Sequence, residues 1–318
     1  MARKIAELSR YAVLPLLLVV LGVLAVTLRG THFADVFPYW QTFTIYFAMI
    51  VLERIFRYAR QVSQRHLIWR DLMSTALSAF FAGAAMAAVV LPVLRLFPKT
   101  FLGRRFLFAL SDQIGPLWLQ VPIVFLLSSF LAYWVHRWQH TSNFWWKLHG
   151  YHHSVTSLQT SNVLVSNPLE WAMRNVLIGL LLSIVGFNPV AVVIGGSLNL
   201  YSYFSHCGAD LKGGWLNYVF NTPEVHRWHH SAQFPDDPKF RYGCNYGVGV
   251  TFWDLLFGTF YLPRDERGQV LSPSRMGHPE GYPDEPNYLK MLFGARAFPA
   301  LQRWFERDKG VTAAVPAE

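Results

Sequence analysis

The feature that most constrains the fold of this chain is the concentration of its histidines. Nine of the twelve lie between positions 136 and 230, while most of the rest of the chain is apolar. They form three short patterns, with His206 before the last: His136-x₃-His140, His149-x₂-His152-His153 and His226-x₂-His229-His230. Neutral imidazole is the side chain most often used as a metal ligand. Three distant segments are therefore expected to meet around bound metal.

The spacing within each pattern predicts how the rings meet. Successive residues of an α-helix are rotated by about 100°, so positions i, i+3 and i+4 share one face. The His136/His140 pair and each His-x₂-His-His trio are thus expected to point together into one volume. One His-x₃-His would be a weak signal, because a lone histidine is usually structural, but three patterns in order are a strong one. Eight imidazoles exceed the needs of one ion, which predicts two metal ions.

Long apolar runs predict a membrane protein. Only 15% of the residues are charged, against about a quarter in soluble domains. Crossing the hydrocarbon core takes roughly 20 apolar residues, and candidate spans lie at residues 11–28, 40–52, 72–94 and 116–135. The first is interpreted as a retained anchor, since it is long for a cleaved signal and lacks a good cleavage site. Residues 175–204 are apolar but broken by Gly186-Phe-Asn-Pro189, which predicts a helical hairpin.

Basic residues predict the orientation. The amino terminus and the arginine-rich stretch 54–70 are both expected in the cytoplasm. Two crossings separate them and two more precede His136, so all nine clustered histidines are predicted on the cytoplasmic face of a multi-pass protein (of the inner membrane, if bacterial). Basic residues at 95–105 disagree and are interpreted as an interfacial segment. The net charge of +9 is attributed to contact with anionic lipid headgroups, and no nucleic-acid partner is expected.

The fold expected is an all-α integral membrane protein. It would have four or more transmembrane helices, a helical hairpin and a cytoplasmic cap holding a histidine-rich dimetal site. The predicted regions are 1–115 (transmembrane helices and a basic loop), 116–262 (the catalytic region) and 263–318 (a cytoplasmic tail). Residues 248–261 form either an interfacial helix or a helix packed on the cap. Cys207 and Cys244 are both predicted to be cytoplasmic and are expected to form no disulfide. They also lack CxxC spacing, which argues against an iron–sulfur or c-type haem module.

The ligand type indicates the metal and the chemistry. Magnesium and calcium prefer oxygen donors, and structural zinc sites take about four ligands, often cysteine. Many imidazoles at the ends of apolar helices favour two redox metals, expected to be iron, acting with O₂ on a membrane lipid in a water-excluding site. A metal transporter or sensor is the alternative, although it would need ligands deep within the spans. A zinc-stabilised scaffold is a third interpretation.

The patterns and their surroundings resemble the fatty acid hydroxylase and sterol desaturase superfamily of membrane di-iron proteins. The resemblance covers residues 126–261. Its third box is Asn221-Thr-Pro-Glu-Val-His226-Arg-Trp-His229-His230-Ser, followed by Asn245-Tyr-Gly, Phe252-Trp-Asp254 and Gly258-Thr-Phe-Tyr261. It implies four core membrane helices, a cytoplasmic cap, two iron ions and O₂ as co-substrate. It further implies hydroxylation or desaturation of a lipid, with electrons from a ferredoxin- or cytochrome-type donor and its reductase.

The resemblance also implies the ligands, residue by residue. They are the eight histidines of the three boxes, with His206 where relatives place a further ligand: His136, His140, His149, His152, His153, His206, His226, His229 and His230. Some relatives carry another histidine where this chain has Asp210, which is either a ligand or a solvated loop aspartate. Asn167 stands where many relatives have histidine, which leaves it a hydrogen bond to a ligand instead of ligation. No catalytic residue beyond the ligands is predicted.

Residues around the boxes have two interpretations each. The arginines and tryptophans inside the boxes either orient ligands or a lipid headgroup, or anchor helix ends at the interface: Arg137, Trp138, Arg227 and Trp228. Tyr201 and Tyr203 either line a lipid channel or pack in the core. No role is assigned to His32, His66 or His278. The arginine-rich surface favours a substrate with an anionic headgroup.

Overall fold

A computed structural model of the protein describes residues 2–27, 33–58, 65–92, 114–185 and 187–279. Helices dominate these ranges, and β pairing is limited there to isolated bridges. The prediction of a mostly helical protein is therefore confirmed. The basic residues at 95–105, His32 and the chain after residue 279 lie outside the described residues.

The described ranges contain nine α-helices, several of them joined by short 3₁₀ segments. They are α1 (Ala2–Thr27), α2 (Phe33–Ile55), α3 (Ile68–Ala85, continued as a π-helix over Met86–Val90), α4 (Leu117–Thr141), α5 (Asn143–His149), α6 (Pro168–Val185), α7 (Pro189–Leu198), α8 (Pro223–His229) and α9 (Phe252–Leu256). The 3₁₀ segments are Arg65–Leu67, His152–Ser154, Thr160–Asn162, Asn199–His206, Gly214–Tyr218 and Pro238–Phe240.

Two of the described helices are long and apolar enough to cross a membrane. They are Ile68–Val90 and Leu117–Thr141, with mean hydropathies of 1.8 and 1.7. Large apolar side chains point outward from both, such as Phe80, 67% exposed, and Trp118, 75% exposed. Contiguous apolar surface of this kind is rare on soluble monomers and marks contact with lipid or protein. The shorter apolar segment Leu8–Val23 lies within α1.

The predicted break near residue 188 is present. Pro189 is the first residue of α7, where its missing N–H costs nothing. The Asn188 side chain caps this helix by accepting a hydrogen bond from the Val190 N–H at 2.9 Å. In the packing, α7 lies mainly against α4, and α6 lies mainly against α3. The end of α4 and the start of α6 lie side by side, because Gln139 donates a hydrogen bond to Glu170 at 2.5 Å.

Buried polar contacts tie the helices to the segments that follow them. Oε1 of Glu53, near the end of α2, accepts hydrogen bonds from the backbone N–H groups of Thr160 at 2.8 Å and Gly208 at 2.9 Å. The Ser161 hydroxyl donates to the carboxylate of Asp71 in α3 at 2.7 Å. These bonds fix the 3₁₀ segment Thr160–Asn162 and the residues just after His206. Both segments border the histidine cluster.

Candidate metal centre

All nine clustered histidines converge at the carboxyl end of α4 in two adjoining groups. The five-histidine group consists of His136, His140, His149, His153 and His229. The four-histidine group consists of His152, His206, His226 and His230. Within each group, one ring nitrogen per residue lies within 4.8 Å of the corresponding nitrogen of every other member. Each group is thus able to hold a metal ion.

The His136/His140 pair behaves as its spacing predicts, because both residues lie on α4 and both enter the five-histidine group. Each His-x₂-His-His trio also converges, since the ring centroids of neighbouring members lie 5.5 Å or less apart, but each trio divides between the two groups. His149 ends α5, whereas His152 and His153 lie on a separate 3₁₀ turn and enter different groups. Consecutive residues point in directions about 100° apart, so a His-His pair between two sites supplies one ligand to each.

The third pattern divides in the same way around α8. His226 and His230 are four residues apart and both enter the four-histidine group, while His229 enters the five-histidine group. His230 is the C-cap residue of α8. Thus α8 lies between the two groups and contributes to both.

An irregular segment, residues 242–246, orients three rings of the five-histidine group. We call it the carbonyl loop. Its carbonyl oxygens accept hydrogen bonds from Nδ1 of three histidines: Tyr242 from His140 at 3.0 Å, Cys244 from His229 at 2.8 Å and Tyr246 from His136 at 2.8 Å. Because a carbonyl only accepts, Nδ1 carries the proton in each ring and Nε2 keeps its lone pair. These bonds select the tautomer that ligates a metal through Nε2.

Asp254 of α9 holds the carbonyl loop. Its buried carboxylate accepts from the backbone N–H groups of Tyr246 and Gly247 and from the hydroxyl of Thr259, each at 2.7 Å. Burial raises the pKa of Asp254 to about 6, although its three hydrogen bonds lower it in part. The carboxylate therefore remains ionised at neutral pH, the form that accepts all three bonds.

Asn245, within the carbonyl loop, and Gly247, the residue just after it, determine the shape of the loop. Asn245 has a φ of 55°, and its side-chain amide donates to the carbonyls of Val225 at 3.1 Å and Tyr261 at 2.8 Å. A Cβ at position 247 would lie 2.1 Å from the Val250 carbonyl oxygen. Only glycine fits there. The Asn-Tyr-Gly and Trp-Asp motifs of the sequence are thus explained by the support they give to the ligand rings.

The four-histidine group has its own supports. Nδ1 of His152 donates to the Val165 carbonyl at 2.9 Å. Nδ1 of His206 lies 3.3 Å from Oδ1 of Asn162, and Nδ1 of His226 lies 3.3 Å from the side-chain amide of Asn221. Two of the three supports are side chains, whereas the five-histidine group relies on backbone carbonyls.

The unsatisfied nitrogens of the cluster fit bound metal. Buried ring nitrogens without a hydrogen-bond partner occur on six of the histidines: His140 (Nε2), His149 (Nδ1), His153 (Nε2), His226 (Nε2), His229 (Nε2) and His230 (both). Such atoms cost about 1–3 kcal/mol each when left unpaired, and a metal ion would satisfy them. Burial also lowers the pKa of His229 to about 3 and that of His152 to about 4, so both rings are neutral ligands at pH 7. The donor set suits iron, zinc, copper or nickel.

Asp210 is not brought into either histidine group. Its carboxylate pairs with Arg10 of α1 at 2.7 Å and with Lys212 at 3.4 Å. Asn167, the other position at which the chain departs from its relatives, accepts a hydrogen bond from the Leu169 N–H at 3.0 Å. This is the geometry of a helix cap at the start of α6.

Glu170 is a site residue to which sequence reasoning assigned no role. Its Oε1 accepts a hydrogen bond from Gln139 Nε2 at 2.5 Å and lies 3.7 Å from Nδ1 of His149. The side chain is buried, with 1% of its surface exposed. The signal was present in the sequence, since Glu170 is an acidic residue at the start of an otherwise apolar helix.

The arginines and tryptophans inside the boxes mostly support the structure. Arg227 is buried, donates to the Ala209 carbonyl at 2.6 Å and stacks on Tyr58 at 4.0 Å. Trp228 Nε1 donates to the Leu271 carbonyl at 2.6 Å. Trp138 is 48% exposed, as an interfacial anchor would be.

The other residues considered in the sequence differ in how far they are buried. Tyr201 is buried in the core beside Phe204. His66 is exposed, whereas His278 stacks on Trp146 with ring centroids 5.0 Å apart. Cys207 and Cys244 are buried and free.

Both interpretations of residues 248–261 apply in part, because α9 packs on the structure and also presents an apolar surface. Trp253 Nε1 donates to the Ser129 hydroxyl of α4 at 2.9 Å. Phe252 and Leu256 are exposed by 50% and 59%.

A cavity adjoins both histidine groups. It has ≈ 590 Å³ of empty space, a figure that includes the open solvent at its mouth. His136 and His149 line it from the five-histidine group, and His152, His206 and His226 from the other. The rest of its wall comes from α6, the segment Asn199–His206 and nearby loops: Val163, Leu164, Ser166, Glu170, Trp171, Arg174, Ser202, Tyr203, Ser205, Asn221, Gly247 and Val248. A molecule in this cavity would lie beside both groups.

Comparison with known proteins identifies the region that carries the cluster. Residues 121–259 match the fatty acid hydroxylase family. This region of the chain belongs to that family. The matched stretch contains all nine clustered histidines, the carbonyl loop and Asp254. The resemblance inferred from the histidine boxes is therefore confirmed.

Relatives of the fatty acid hydroxylase region act on several kinds of lipid. An ornithine lipid hydroxylase of Rhizobium tropici is 32% identical over 149 residues, 46% of this chain and 44% of the relative. An alkylglycerol monooxygenase of Homo sapiens is 29% identical over 43% of this chain and 29% of its own length. A Delta(7)-sterol 5(6)-desaturase of Gibberella zeae is 22% identical over 65% of this chain and 62% of its own length. Each match spans less than two thirds of the relative. No solved structure matches the chain.

Proposed function

We propose that this protein is a membrane-bound, O₂-dependent di-iron enzyme that hydroxylates or desaturates a lipid. One observation carries the proposal: two groups of buried, neutral histidines share one cavity at the end of an apolar helix. The family match supports the reaction class, because the relatives named above are hydroxylases, monooxygenases and desaturases.

Iron is proposed from the donor set. The five-histidine and four-histidine groups would each hold one ion. The carbonyl loop would fix the ligand tautomers of the first group, and the Val165 carbonyl and the Asn162 side-chain oxygen would fix those of His152 and His206 in the second. Bound iron would supply the activation of O₂ needed to attack an unactivated C–H bond. The chain's contribution is to hold the ligand rings, to exclude water and to bring the lipid alongside.

A lipid substrate is proposed from the surroundings of the cavity. The helices α3 and α4 present apolar surface outward, and α6 does so at Leu177 and Leu181, exposed by 37% and 38%. A substrate dissolved in the bilayer would reach the cavity without passing through water. We further propose a multi-pass topology with the cluster on the cytoplasmic face, where a ferredoxin- or cytochrome-type donor and its reductase would deliver electrons.

The catalytic region is proposed to span residues 116–262. Every residue that lines the cavity or supports a ligand ring falls within it. A metal transporter is the less favoured function, because the ligands of the described residues gather at one end of α4 instead of following a path along the spans.

Metal content and lipid mass test the proposed function together. Purified protein is expected to hold two irons per chain and to change a membrane lipid extract only when O₂ and a reductant are present. A product heavier by one oxygen assigns hydroxylation, and loss of two hydrogens assigns desaturation. His149→Ala should lose one of the two ions together with the activity, whereas His66→Ala, at an exposed histidine outside both groups, should keep both ions and the activity. Full metal and activity in His149→Ala would refute the assignment.

A further inference from the structure

Arg174 is a charged residue in an apolar helix. Within α6, whose sequence is PLEWAMRNVLIGLLLSIV, only Glu170 and Arg174 carry charge. An ionisable residue in such a segment is costly to keep and is a candidate functional residue for that reason. The side chain of Arg174 is partly buried and lines the cavity beside the histidine groups.

The guanidinium of Arg174 is oriented by an aromatic ring. It stacks on the ring of Trp171, with 3.8 Å between the guanidinium carbon and the ring centroid. Among the described residues, no hydrogen bond or ion pair engages it. Stacking holds the planar group by its face and leaves its N–H donors free at the edge.

Glu170, one helical turn earlier, is engaged elsewhere. Its carboxylate accepts from Gln139 and lies next to His149. Glu170 and Arg174 both line the cavity and attract each other as opposite charges. Among the described residues the two side chains nevertheless form no ion pair or hydrogen bond, so the N–H donors of Arg174 stay available to an anion that enters the cavity.

We propose that Arg174 anchors an anionic group, a carboxylate or a phosphate, of the lipid that enters the cavity. This inference rests on the proposed function and adds the substrate class to it. A guanidinium binds both anions through paired N–H donors. Ser202 and Tyr203 line the cavity with Arg174 and offer hydroxyl groups, while Val163, Leu164 and Val248 provide apolar wall for the attached chain. The anion would lie in the space that the histidine groups border, so the headgroup end of the lipid would be nearest the metal ions.

Binding to purified full-length protein in non-ionic detergent tests the inference without turnover. The probes are two pairs of radiolabelled amphiphiles with identical chains: N-acylglycine with its methyl ester, and monoacylglycerol phosphate with monoacylglycerol. The wild type should bind at least one anion about tenfold more tightly than its neutral partner, as expected for a charge-assisted hydrogen bond. The pair that shows the preference distinguishes a carboxylate from a phosphate ligand.

Variants assign the preference to the residue. Arg174→Gln should bind the neutral amphiphiles as the wild type does and lose the preference for the anion, and Arg174→Lys should retain part of it. Arg264→Gln is the matched control, because Arg264 is an exposed arginine whose guanidinium lies over Tyr218 at 5.9 Å, away from the cavity. Arg264→Gln should prefer the anionic amphiphile over its neutral partner as strongly as the wild type does.

Three results would overturn the inference: equal binding of both members of each pair by the wild type, an unchanged preference in Arg174→Gln, or a preference that appears only with metal bound and survives this substitution. If Arg174→Gln does not fold, the metal-free wild type can still be compared for its binding of the charged and the neutral member of each pair, and equal binding would overturn the inference. A protein without iron or activity would refute the proposed function and leave these binding results standing.

Discussion

The rings of His153 and His230 lie 4.4 Å apart between centroids, with their planes 23° from parallel, although each ring enters a different histidine group. Their stacking is one of the points at which the two groups touch. The cluster is therefore one continuous block of imidazoles with two sets of open nitrogens.

This arrangement predicts distinct metal stoichiometries for variants of the two groups. His140→Ala and His226→Ala should each reduce the content from two ions to one, because each residue enters one group only. His153→Ala should weaken both sites, since it removes a ligand of one group and the ring that supports His230 of the other. Metal per chain, measured by elemental mass spectrometry, checks this. Two separable sites would be contradicted if His140→Ala lost both ions or kept both.

Asp254 provides a prediction for the carbonyl loop. Asp254→Asn leaves a single acceptor oxygen where the carboxylate accepts from two backbone N–H groups and a hydroxyl. The Tyr246 carbonyl that orients His136 should then shift, and metal affinity should fall by about 10–100-fold. Competition with a chelator measures it. Asp265→Asn is the control, because the carboxylate of Asp265 accepts from two backbone N–H groups in an exposed turn far from the cluster. If Asp254→Asn binds metal as tightly as the wild type does, the carbonyl loop does not orient the ligand rings.

Gly247→Ala tests the same loop sterically. The added methyl would lie 2.1 Å from the Val250 carbonyl oxygen and 2.6 Å from Oδ2 of Asp254. We expect a loss of stability of about 1–3 kcal/mol, typical of overpacking, together with reduced metal content. Gly83→Ala in α3 is the control, since nothing lies within 4 Å of its Cβ position, and alanine there should be neutral or stabilising by up to about 1 kcal/mol. Thermal unfolding in detergent compares the two, and equal melting temperatures would refute the clash.

Sequence reasoning identified the nine histidines because their spacing is local and their chemistry is specific. It did not identify how they divide, since the partition depends on where α5 ends and a 3₁₀ turn begins at His152, which is set by tertiary packing. The carbonyl loop could not be predicted from the sequence, because every residue has a backbone carbonyl and residue type does not show which of them accept hydrogen bonds from the ligand rings. The role of Asp210 could not be predicted either, because it depends on an ion pair with Arg10, two hundred residues earlier in the chain.

Acid should destabilise the metal-free protein. Burial lowers the pKa of the seven clustered histidines outside α4, to about 4 for His152 and about 3 for His229, from an ordinary 6.5. A base with a lowered pKa in the folded state stabilises the fold above its ordinary pKa, and this contribution is lost as the pH falls. Burial raises the pKa of three carboxyl groups, those of Asp254, Glu53 and Glu170, and these act in the opposite direction, but three carboxylates are set against seven imidazoles.

The melting temperature of chelator-treated protein should therefore fall steadily as the pH is lowered from 6.5 to 4. With metal bound, protons must compete with the ion for the same nitrogens, so the decline should begin at a lower pH. Unfolding scans at half-unit pH intervals, with and without iron, compare the two forms. Substituting His66, which is exposed and outside both groups, should leave both curves unchanged. A metal-free melting temperature that is flat or rising towards pH 4 would mean that the imidazoles are not held neutral by burial.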